Sequence, residues 1–234
     1  MTHLLAQLRH ELSAQGSPQN VEGAQRFFKE KIDNYGLPMA ATRLLAREFG
    51  RELTTVSKEA LFDLCEQLWR SGKMEEAHIA SFWTYSRRKE FTANDIDRFE
   101  KWIGHYVSNW ANCDNFCNNV MGAYLLKFPE GAGRLEAWTA SPNRWLRRAA
   151  AASLIVPARK GLMLDASLRI ATLLLHDADD LVQKGYGWLL KEQCKKNSEA
   201  VYDFVATHKK EMPRTALRYA IEKAPAAVRK ELLS

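Results

Sequence analysis

Trp110 and Asp114 stand four residues apart in the segment SNWANCDNFCNN, so a helix there sets both on one face. A carboxylate so placed can orient a water or steady a developing positive charge, and an indole face attracts cations. Asn109, Asn112, Asn115, Asn118 and Asn119 crowd the same stretch, although asparagine is a mediocre helix former. The combination reads as a polar pocket with an apolar wall. The bland alternative is an aspartate that caps or pairs within a helical bundle and a tryptophan that fills its core. Two further segments bear on the choice. WLRRAAAASLI follows the turn Ser141-Pro142-Asn143 and sets Arg147 and Arg148 at the start of an alanine-rich helix. VQKGYGWLLKE carries Trp188 on a helix with Gly185 and Gly187 in its interior, each costing about 1 kcal/mol relative to alanine. That cost is tolerated where another backbone comes close, either a neighbouring helix or a nucleic-acid strand.

Other chemistries find no support. His78, His105, His176 and His208 have no ligand spacing, and the four cysteines include no CxxC pair, so neither zinc, an iron–sulfur cluster nor a disulfide framework is expected. Cys113 and Cys117 read as buried thiols. There is no P-loop, no G-x-G-x-x-G and no G-x-S-x-G, and no cofactor is implied. Asp177, Asp179 and Asp180 lack the rest of a calcium loop and read as a turn that caps the following helix. No apolar run approaches the roughly 18 residues of a membrane span, and the N-terminal MTHLLAQLRHELSAQ reads as an amphipathic helix rather than a signal peptide; with cysteines that form no disulfide framework, a reducing cytoplasm is expected.

The elements that must position these residues are helical almost throughout. Spacings of three and four recur, as in Leu61, Leu64, Cys65, Leu68 and Trp69, and again in Leu217, Ala220 and Ile221, while strand-like alternation is scarce. Prolines fall between such segments or in their first turns. At 234 residues, 46% hydrophobic and 26% charged, with no polar linker, the chain reads as one folded domain over residues 1–234. LEAWTASPNRWLRRAA, ATLLLHDADDLVQKGYGW and YDFVATHKKEMPRTALRYA share a plan of helix, polar turn and second helix. Aligning Trp138, Leu174 and Phe204 puts Arg148, Lys184 and Arg214 at a common offset. The expected architecture is all-α: a curved α-solenoid of antiparallel helix pairs, HEAT-like repeats, whose second helices line a concave basic face. The net charge of +6 resides in the C-terminal part, from Arg134 onward, which suggests a polyanion-facing surface there.

Taken together, NWANCDNF, WLRRAA and LVQKGYGWLLKE, with RFFKEKIDNYGLP and the stretch Leu68–Glu76 before them, resemble the AlkD-like DNA alkylation repair family of HEAT-like repeat glycosylases. The resemblance spans nearly the whole chain. It implies that Trp110, Asp114 and Trp188 match catalytic positions and that Arg148 matches an arginine that contacts the DNA backbone. Arg147, Lys184 and Arg214 are further candidates for DNA contact. The implied activity is a monofunctional DNA glycosylase that releases cationic alkylated purines, N3-methyladenine and N7-methylguanine, from duplex DNA. Such bases are good leaving groups, so the difficult element is the oxocarbenium-like sugar, which an ionised Asp114 and the indole faces would stabilise. No lysine stands out as a Schiff-base nucleophile. Phe27 departs from the family pattern, which carries a tyrosine there. The alternative is a catalytically silent relative that binds distorted or branched DNA. Either would act as a monomer on alkylated duplex DNA, away from membranes, in the cytoplasm and with nucleoid association when bound to DNA.

Overall fold

The structure is a computed structural model and describes residues 2–234. Its helices are α1 (Thr2–Gln15), α2 (Pro18–Gln25), α3 (Met39–Gly50), α4 (Lys58–Arg70), α5 (Met74–Ser86), α6 (Asp95–Tyr106), α7 (Trp110–Phe116) and α8 (Gly122–Lys127). They continue as α9 (Ala132–Trp138), α10 (Arg144–Ala152), α11 (Ile155–Arg159), α12 (Leu164–Leu173), α13 (Asp180–Cys194), α14 (Ser198–His208), α15 (Arg214–Ala220) and α16 (Ala226–Leu233). The described residues contain no strand, only a lone parallel bridge between Asp33 and Lys73. The all-α class read from the sequence holds. Two compact units divide the chain: unit 1 comprises residues up to Thr92 with His105–Val120, and unit 2 comprises Ala93–Gly104 with Met121 onward.

In unit 1 the apolar stripe of α4 is buried as its spacing requires, with Leu61, Leu64, Cys65, Leu68 and Trp69 all within the core. Full burial of one such side chain contributes about 1.5–3 kcal/mol. Ser57 caps α4 by accepting from the Ala60 amide at 3.2 Å. Gly72, at φ 73°, makes the reversal into α5, where a side chain would be strained. Helix α5 packs against α3, α4 and α7 and is buried nearly all round. Its polar groups therefore need internal partners. Glu75 accepts from the backbone amides of Tyr35, Gly36 and Leu37 at 2.9–3.0 Å, and Glu76 accepts from Tyr35 Oη at 2.7 Å and from Arg9. This clasp fixes the irregular segment 26–38, so the two N-terminal motif segments meet in space.

In unit 2 the helix–turn–helix plan read from the sequence is present three times, as α9–α10, α12–α13 and α14–α15. The second members pack in succession, α10 on α13 and α13 on α15, and α9 packs on α12. Each turn has its own stop and start signals. Asn143 caps α10 by accepting from the Trp145 amide at 2.8 Å, and Asp179 caps α13 through the Leu181 amide at 2.9 Å, as the aspartate cluster predicts. Pro213 precedes the first residue of α15. Arg144 bonds Asp179 at 2.7 Å and Arg147 bonds Asp177 at 2.6 Å, which ties α10 to the turn of the next pair.

Candidate functional site

Trp110 opens α7, with Asn109 as its cap accepting from the Asn112 amide at 2.9 Å. The indole is half-buried and lies against Phe28, ring centroids 5.1 Å apart and 17° from parallel. Its Nε1 donates to the Phe27 carbonyl at 3.3 Å. Segment 26–38, held by Glu75, thereby orients the tryptophan. Asp114 follows one turn later and is half-buried on the same side of α7. Both lie in unit 1, so the helical spacing does bring this pair together. Phe27 is 76% exposed, a large apolar side chain left in solvent beside the tryptophan.

The asparagines have a more local role than a pocket rim. After Phe116 the helix widens into a π segment, Cys117–Met121, before α8 resumes. In a π turn each amide reaches one residue further back, which leaves carbonyls without their usual donor. Asn118 Nδ2 donates to the Asp114 carbonyl at 2.9 Å and Asn119 Nδ2 to that of Asn115 at 2.7 Å. Asparagine amides thus add to the backbone bonds of the helix that presents Asp114, whose carbonyl also accepts from the Cys117 amide. Such bulges recur at functional sites. Cys113 and Cys117 are buried thiols, as read from the sequence.

The remaining candidates lie in unit 2, and all but Arg214 have partners there. Arg148, on α10, is only 5% exposed; it donates to the Leu181 carbonyl, and its side chain lies across Gly185 of α13. Arg147 bonds Asp177 and donates to the carbonyls of Ser141 and Pro142 at 2.9 and 3.1 Å, so it braces the turn before its own helix. Lys184 pairs with Asp180 at 3.3 Å along α13. Arg214 is exposed at the first position of α15, whereas Arg148 and Lys184 are fifth in their helices. Their common offset in sequence is not a common place in the helix.

Trp188 is half-buried on α13 and donates from Nε1 to Glu192 at 3.1 Å; the Arg159 guanidinium stands 5.8 Å over its ring. Burial pushes the Glu192 carboxyl up, but hydrogen bonds from Lys195, Arg159 and Trp188 outweigh it and hold the group below the usual carboxylate range. Glu192 is thus an anchor for Trp188. Its place four residues on was the signal for it. Gly187 is explained by α15: a Cβ there would come within 2.7 Å of Tyr219 Cβ and 2.8 Å of the Ala216 carbonyl oxygen. Of the two reasons for an interior glycine, the neighbouring helix applies.

The description "DNA alkylation repair enzyme" fits residues 8–224, nearly the entire chain. The chain belongs to the DNA alkylation repair enzyme family. Among solved structures, the fold is similar to that of "Predicted DNA alkylation repair enzyme from Enterococcus faecalis". The match has a TM-score of 0.79 at 18% identity and covers 91% of this chain and 98% of that one. At that identity the likeness concerns the fold alone. No curated protein matches the sequence. No helix among the described residues is long and apolar enough to cross a membrane. For a member of the DNA alkylation repair enzyme family, the partner is DNA, a polyanion.

Proposed function

We propose that the chain is a monofunctional DNA glycosylase that hydrolyses the N-glycosidic bond of cationic alkylated purines, N3-methyladenine and N7-methylguanine, in duplex DNA. The observation that carries this reading is the Trp110–Asp114 pair on one side of α7, with the indole fixed by Phe28 and the Phe27 carbonyl. As the bond from C1′ to the purine nitrogen breaks, its electrons leave with the base, which becomes neutral, and the sugar takes up the positive charge. Ionised Asp114 stabilises that sugar and orients a water whose oxygen forms the new bond to C1′ and whose proton is released. The products are a free base and an abasic site. An indole face contributes roughly 1–2 kcal/mol to such a cation once water is excluded. Trp188, anchored by Glu192, has the same chemistry to offer. Lys184 and Arg214 contact backbone phosphates, with the buried Arg148 and the paired Arg147 positioning α10 beside them.

The test is release of the two methylated purines from alkylated duplex DNA by wild type and by Asp114→Asn. The amide keeps the shape and removes the charge, so excision should fall on the order of 100- to 1000-fold while DNA binding persists. DNA affinity should fall steeply with added salt. Equal excision by both proteins would refute the role of Asp114. Binding without release by either would identify a DNA-recognition relative that lacks this chemistry.

A further inference from the structure

We infer that unit 1 carries a second binding site, for a nucleoside monophosphate unit, in an arginine-rimmed cavity between α3 and α5. The cavity measures about 500 Å³, within the range of small-molecule sites. Its apolar lining includes Leu53, Leu61, Phe82 and Trp83, the last locked by a 2.8 Å hydrogen bond from Nε1 to the Ala46 carbonyl. Arg43, Arg47 and Arg51 line the same cavity at intervals of four residues along α3 and the 3₁₀ turn that continues it, so they share a face.

The charges there are poorly matched. Glu90 is the only carboxylate among the lining residues, and Arg87 already holds it at 2.9 Å. Arg47 and Arg51 make no ion pair among the described residues, and Arg43 lies over the Phe82 ring at 5.3 Å. Like charges at this spacing repel, and a bound anion relieves that repulsion. A cationic alkylated base is disfavoured by the same charges, so the cavity is not the seat of the lesion. Its occupant combines an anion for the guanidinium row with a planar or apolar body for the floor. A nucleotide has both: the phosphate suits the forked donors of Arg47 and Arg51, and the base suits the Arg43–Phe82 stack. The source is either a free nucleotide or an unpaired nucleotide of a DNA strand. The inference rests on the DNA reading only in choosing a nucleotide as the planar anion.

Calorimetry on the full chain tests it, with dTMP, thymidine and inorganic phosphate as probes and Arg47→Gln/Arg51→Gln as the variant. Both arginines are exposed, so the variant keeps its fold, which circular dichroism checks. dTMP should bind at least about tenfold tighter than thymidine or phosphate, and the double variant should lose about tenfold or more. A duplex with a single-nucleotide bulge, compared with a fully paired one, separates the sources. A bulge preference that vanishes in the double variant assigns the site to DNA. dTMP binding without that preference assigns it to the free nucleotide. Phosphate binding as tightly as dTMP, or no effect of the double variant on either dTMP or the bulged duplex, overturns the proposal. No alkylated base enters the assay, so a chain that binds dTMP but excises nothing refutes the glycosylase reading alone.

Discussion

Gly185 and Gly187 lie two residues apart on α13, and the structure assigns opposite signs to their replacement by alanine. In a helix interior the exchange gains about 1 kcal/mol of backbone propensity at either position. At Gly187 the new methyl would sit 2.7 Å from Tyr219 Cβ and 2.8 Å from the Ala216 carbonyl oxygen. Contact between such atoms settles near 3.5–4 Å, so α15 must retreat by about 1 Å. The obstacle is backbone, which cannot rotate away, so the cost lies in the upper part of the range for overpacking, about 2–3 kcal/mol. Gly187→Ala should therefore be destabilising by about 1–2 kcal/mol, lowering Tm by roughly 2–8 °C for a chain of this length. At Gly185 the methyl would meet Arg148 Cγ at 3.5 Å and Nη1 at 3.7 Å, ordinary contact distances. There the propensity gain remains, and Gly185→Ala should be stabilising by about 0.5–1 kcal/mol. Urea unfolding followed by circular dichroism measures both. Gly187→Ala as stable as wild type, or a shift in the same direction for both substitutions, would refute this packing account.

Two further outcomes follow from the interior of α5. Burial lowers the His78 imidazole to about 4, and the Arg43 charge adds to this against a backbone hydrogen bond at Ala111 that raises it. The unfolded imidazole takes up its proton near 6.5, so acidification from pH 6.5 to 4 should remove up to about 3 kcal/mol of stability; His78→Asn should flatten that part of the profile in pH-dependent unfolding. Glu75 accepts from three backbone amides, so Glu75→Gln should lose about 2–4 kcal/mol and loosen segment 26–38, read as faster hydrogen exchange at Tyr35, Gly36 and Leu37.

What was legible in the sequence was local. Helix caps, proline positions and the aspartate turn depend on neighbours within a few residues, and Asn143, Asp179 and Pro213 stand where that chemistry puts them. The Trp110–Asp114 pairing is of this kind too, because one helical turn fixes it. The asparagines beside it were legible only in part. Five amides in twelve residues suggest a pocket rim, yet Asn109 caps the helix and Asn118 and Asn119 bond carbonyls beside a π segment. A π turn depends on how the helix meets its neighbours, and spacing alone does not encode it. The same limit applies to Arg148, whose burial follows from the close approach of α10 to Gly185.

Charge shows most clearly why counting residues differs from locating them. The sequence assigns the basic excess to the stretch from Arg134 onward. In unit 2, however, Arg144, Arg147, Arg159, Arg169, Lys184, Lys191 and Lys195 all pair with carboxylates at 2.5–3.3 Å. A paired cation presents a dipole to solvent and attracts a distant phosphate less than its formal charge suggests. Unit 1 comes from the part of the chain where acids and bases nearly balance, yet it holds Arg43, Arg47 and Arg51 around one cavity with a single, already paired carboxylate among its lining residues. The acids that offset these arginines in the count include Glu75 and Glu76, which are buried against backbone amides, Tyr35 and Arg9 and do not line that cavity. Formal charge is conserved along the chain, but folding decides which charges face a ligand. A row of cations around one cavity can therefore lie in the half whose net charge is closest to zero.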